Sequence, residues 1–84
     1  MWFVYIVECS DGTYYTGITT DLERRLQEHN SNVLGARYTR GRRPVQLRYS
    51  CSFADKQQAS KEEWRIKGLS RGEKKGFFLQ KIRK

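Results

Sequence analysis

No apolar stretch in these 84 residues approaches the ~20 needed to cross a bilayer, which excludes a membrane-spanning helix. The opening Met1-Trp2-Phe3-Val4 carries none of the positive charge of a secretory leader, so a cytoplasmic location is expected. Cysteine is scarce. Cys9 and Cys51 are too few for a disulfide framework and have no metal-ligand spacing, and both are expected reduced and on the core side. Repeats, linkers and low-complexity segments are also missing, so residues 1–84 should form a single domain. Only 37% of the chain is hydrophobic, yet 13% is aromatic, and a few large rings must therefore supply much of the buried area.

Acidic residues are the other shortage. Nine Asp and Glu stand against 17 Lys and Arg, a net charge of +8. Residues 1–42 are balanced, five against five, whereas residues 43–84 carry twelve basic and four acidic groups. A bias of this kind favours a polyanionic partner, because each neutralised phosphate releases condensed counterions. A soluble, self-repelling surface would carry the same charge, so composition points to nucleic acid without singling it out.

Along the chain, Trp2 to Val7 is an almost unbroken apolar run and predicts a central strand covered on both faces. Asp11-Gly12 then turns the chain into Thr13-Tyr14-Tyr15-Thr16, making a hairpin in which Gly12 supplies a positive φ. Gly17 should close that strand and permit a close approach. Thr20-Asp21-Leu22-Glu23 fits a capping box that opens a helix running to about Asn30. Residues 31–43 lack any period and read as a loop. Val45, Leu47, Tyr49, Cys51 and Phe53 alternate with polar residues, as in a strand with one covered face. A helix follows over about 54–69, with Ala59, Ile66 and Leu69 on one stripe. Ser70-Arg71-Gly72-Glu73 opens a last helix containing Phe77, Phe78 and Ile82. The expected fold is α+β, a three-stranded antiparallel sheet flanked by helices in the order ββαβαα.

Several polar side chains occupy positions where apolar ones belong. Leu22, Arg25, Leu26 and His29 share one helical stripe, so Arg25 and His29 lie on the docking face. A guanidinium there needs a carboxylate, an anion or the protein's edge. Ala59, Glu63, Ile66 and Lys67 form a stripe on the next helix, which places Glu63 rather than Glu62 inward. Arg25 and Glu63 could pair as a structural ion bridge. Alternatively, with the tyrosines of the hairpin they could make a phosphodiester site: a carboxylate for a divalent metal, an arginine for developing phosphorane charge, and hydroxyls to handle water.

The spacing of Phe3-Val4-Tyr5, Tyr15-Thr16-Gly17, Arg25, His29 and Glu63 resembles the GIY-YIG nuclease superfamily over almost the whole chain. The stretch from Ala36 to Pro44 resembles its small single-domain bacterial group. The resemblance implies a metal-dependent endonuclease that hydrolyses DNA phosphodiester bonds with little sequence specificity, in repair or recombination by analogy. It implies that Tyr5 activates or orients the attacking water and that Tyr15 positions water or phosphate. Arg25 would contact the scissile phosphate, His29 would assist, and Glu63 would hold one Mg²⁺ or Mn²⁺. A free phenol has a pKa near 10, so Tyr5 needs help from the metal or Arg25 to act as a base. One carboxylate binds Mg²⁺ weakly, so substrate oxygens should complete the shell.

Arg37, Arg40, Arg42 and Arg43 in the loop, with basic residues of the tail, can grip phosphates without reading bases. Tyr38 can stack on an unpaired base or pack under its own loop. A protein partner could supply specificity. The rival to an enzyme is a non-catalytic nucleic-acid-binding module on the same fold.

Overall fold

Strand β1 (Trp2–Glu8) lies between β2 (Tyr14–Thr19) and β3 (Gln46–Phe53), and both pairings are antiparallel. The computed structural model describes residues 1–31, 39 and 41–82, with side chains up to residue 76. Its element order, completed by α1 (Leu22–His29), α2 (Lys56–Lys67) and α3 (Arg71–Ile82), is the expected ββαβαα. Arg37, Tyr38 and Arg40, and the side chains of Phe77, Phe78 and Ile82, lie outside the described residues.

The apolar run of β1 is explained by the two layers it separates. Val4 and Ile6 point to one face, where Tyr14 and the fully buried Ala59 and Ile66 of α2 cover them. Tyr5, Val7 and Cys9 point to the other, against Val45, Tyr15 and the α1 residues Leu22 and Leu26. Gly12 turns the hairpin with φ 82°, as expected, but β2 continues past Gly17 because Ile18 and Thr19 still pair with Val4 and Phe3. Gly17 is thus an interior strand position.

Two local expectations are corrected. The N-cap of α1 is Asp21, not Thr20: its carboxylate accepts from the Arg24 amide at 3.0 Å. The third residue from this cap is Arg24, so Glu23 has no reciprocal partner position and no box forms. On β3 the alternation is broken by a register shift between Ile6 and Val7, whose partners are Tyr49 and Leu47. The extra residue reverses the facing of what precedes it, so Val45 packs with Tyr5 while Tyr49 and Phe53 pack with Ile6. The second capping box forms as the sequence predicts. Glu73 accepts from the Ser70 amide at 2.8 Å, and Ser70 Oγ accepts from the Glu73 amide at 3.2 Å. Both cysteines are free thiols.

Candidate functional site: a tyrosine held by histidine and arginine

Tyr5 and Gly17 are cross-strand partners. An added Cβ at Gly17 would lie 2.6 Å from Tyr5 Oη and 2.8 Å from Cζ, so the phenol lies across β2 where a side chain is missing. This crossing carries the hydroxyl toward the β2 edge of the sheet. The close approach at Gly17 is therefore made by a ring, not by a backbone.

At the end of α1, His29 is completely buried, and its Nε2 stands 2.7 Å from Tyr5 Oη. Its Nδ1 stands 3.0 Å from Oγ1 of the equally buried Thr39. Tyr15 packs edge-on against the imidazole, with centroids 5.1 Å apart, and tilts against Tyr5 at 6.4 Å. Arg25, one turn before His29, brings its positive charge to bear on the Tyr5 hydroxyl and donates to Glu28 Oε1 at 2.9 Å.

These contacts fix the protons. Burial pushes the Tyr5 phenol up to about 12, against the opposing pull of Arg25. Burial, reinforced by the Arg25 charge, pushes His29 down to about 4. Both are neutral at pH 7. The Arg25 charge favours electron density on the Tyr5 oxygen, so the phenol gives its own proton to His29 Nε2. His29 then carries its hydrogen on Nδ1 and donates to Thr39.

Glu63 comes from the helix on the opposite face, yet its charge is felt at Tyr5 and helps hold the phenol protonated. Its side chain is 20% exposed and pairs with Lys67 at 3.2 Å. Glu62 is equally shielded and pairs with Arg65 at 2.6 Å, so depth does not distinguish the two carboxylates; direction does, because Glu62 acts on Tyr49. Arg25 and Glu63 each take an ion partner on their own helix, Glu28 and Lys67.

Among the described residues, no three His, Cys, Asp or Glu gather as a metal cage. The largely shielded Glu63 carboxylate, whose charge reaches Tyr5, is a hard oxygen donor that fits a divalent cation taking its remaining ligands from water and substrate. Tyr5, Tyr15, Arg25 and His29 come together on the α1 face, while Glu63, on α2, is linked to them only through its charge on Tyr5. Tyr14 turns to the α2 face instead. Of the loop cations, Arg42 pairs with Asp11 at 2.9 Å and Arg43 donates to the Ser31 carbonyl, so both are already engaged. Sequence reading missed Thr39, in a segment without any period, and Glu28, which its i+3 spacing from Arg25 would have revealed.

Residues 1–76 match the family model of the GIY-YIG catalytic domain. A UPF0213 protein of Halobacterium salinarum is 58% identical over 78 residues, covering 93% of this chain and all of that relative. One from Desulfotalea psychrophila is 62% identical over 69 residues, covering 82% of this chain and 63% of the relative. The solution NMR structure of the UPF0213 protein from Bacillus halodurans is 45% identical with a TM-score of 0.61, over 96% of this chain and 86% of that one. The hydroxyl that crosses a glycine to reach a buried histidine thus occurs in a sequence that these matches span over most of its length, and the chain belongs to the GIY-YIG nuclease superfamily.

Proposed function

We propose that this protein is a divalent-metal-dependent endonuclease that hydrolyses DNA phosphodiester bonds with little sequence preference. The observation that carries the reading is the Tyr5 hydroxyl, held 2.7 Å from His29 Nε2 within the influence of the Arg25 charge.

Water that donates to the Tyr5 oxygen turns a lone pair toward a phosphate held by Arg25. With its proton committed to His29, Tyr5 cannot rotate to donate, so the polarity of the contact is set before substrate arrives. His29 is a positioning group. Moving the proton fully from a phenol at about 12 to an imidazole at about 4 would cost on the order of 10 kcal/mol, too much for a resting relay. Deprotonation of water by Tyr5 instead requires the phenolate, which Arg25 favours. Glu63 would hold Mg²⁺ or Mn²⁺, which when bound supplies positive charge for the phosphate oxygens and the leaving alkoxide. Tyr15, against both rings, keeps them from tilting.

Supercoiled and branched DNA incubated with Mg²⁺ or Mn²⁺ tests this reading. Metal-dependent nicking should disappear in Glu63→Ala and Arg25→Ala, with Glu63→Ala retaining DNA affinity. One observation favours a non-catalytic module: Lys67 already neutralises Glu63. Binding without nicking, unchanged in Glu63→Ala, would establish that module.

A further inference from the structure

Trp64 on α2 is 81% exposed, more than any other large apolar side chain among the described residues. An indole left in water forgoes the burial that most tryptophans obtain, and such a ring marks a contact surface. Lys67 and Gly68, at i+3 and i+4, line with it an open hollow of about 320 Å³. Gly68 ends the helix and brings no side chain over the ring. Lys67 also reaches Glu63 Oε2 at 3.2 Å, so a single ammonium stands between the indole and the carboxylate of the candidate site. Its charge is also felt at Lys74 on α3, a second cation near the ring's helix.

We propose that Trp64 and Lys67 form a nucleotide subsite, in which an unpaired base stacks on the indole and an adjoining phosphate meets the Lys67 ammonium. The inference rests on the nuclease reading for the location of the scissile linkage beside it. An exposed aromatic face next to a cation, on a chain of net charge +8, complements the alternating rings and anions of a nucleic-acid strand. Bases inside a duplex are stacked on one another and cannot lie against the ring. The subsite therefore selects single-stranded, flapped or frayed DNA, and Lys67 exchanges Glu63 for the strand's phosphate as substrate enters.

The chain has two tryptophans, so Trp2→Phe leaves emission from Trp64 alone. Metal-free titrations with a single-stranded oligonucleotide and a blunt duplex of the same sequence should show quenching by the single strand only. Trp64→Ala should weaken single-strand binding by about ten-fold and leave duplex binding unchanged, and Trp64→Phe should restore most of the loss. Lys67→Ala should lower the salt dependence by about one counterion. Circular dichroism melts of these surface variants should match wild type. Equal losses on both DNA forms, or single-strand binding without quenching, would overturn the subsite and leave the nuclease reading standing. Wild-type protein that binds neither form would overturn both, whereas quenching without metal-dependent nicking would remove only the nuclease.

Discussion

Gly17→Ala is the sharpest perturbation of the site that leaves every functional side chain in place. The Gly17 backbone is extended and its φ is not positive, so alanine meets no backbone penalty there. Its reduced unfolded-state entropy would even add about 0.4–1 kcal/mol of stability. Space decides the opposite outcome. The new Cβ would sit 2.6 Å from Tyr5 Oη, 2.8 Å from Cζ and 3.1 Å from Cε2, inside contact distance along one side of the ring. Tyr5 is 2% exposed, so its ring can yield only by displacing packed neighbours or by leaving His29. The clash costs about 1–3 kcal/mol as overpacking, and stranding the buried imidazole adds roughly 1–3 kcal/mol. Net destabilisation should therefore be about 1–5 kcal/mol, lowering Tm by at least ~4 °C in a domain of this size. Urea denaturation measures the first figure and a thermal melt the second, with Gly72→Ala as a control because its Cβ would meet nothing within 4 Å. In a Tyr5→Phe background the hydroxyl contact is gone, so Gly17→Ala should cost less there. Destabilisation below about 0.5 kcal/mol, with nicking intact, would refute the claim that this glycine exists to admit the phenol.

Three further outcomes follow from the same geometry. His29 is held near 4, well below its ordinary 6.5, so from pH 7 to 5 the unfolded chain takes up a proton that the native chain refuses; stability should fall by about 2 kcal/mol over that interval, and denaturation curves of His29→Gln should lack this component. Because Tyr5 titrates near 12, kcat/KM should climb with pH from 6 to 9 without a His29 inflection, and a plateau set by a group near 6.5 would count against the phenol as base. Thr16 Oγ1 is buried without a hydrogen-bond partner on the α2 face, so Thr16→Val should raise stability by about 1–2 kcal/mol in urea melts, and a loss would mean the hydroxyl is satisfied after all.

The sequence by itself determined the elements, because their signals are local. The apolar run of β1, the Gly12 turn, the stripe of Leu22 and Leu26 and the Ser70–Glu73 box each depend on neighbours within a few residues, and each appears as read. Spacing also indicated that Arg25 and His29 share a docking face. Tertiary structure decided what those groups meet. That His29 bonds Tyr5 and Thr39, that Arg25 pairs with Glu28 while its charge acts on the phenol, and that Gly17 admits a ring are consequences of strand register and of packing between segments distant in sequence. The β3 register shift, which sends Val45 to the Tyr5 side, is likewise set by pairing with β1, and no periodicity within β3 encodes it. Proton positions belong to the same class, since burial from all sides is what separates a phenol at about 12 from an imidazole at about 4 only 2.7 Å away.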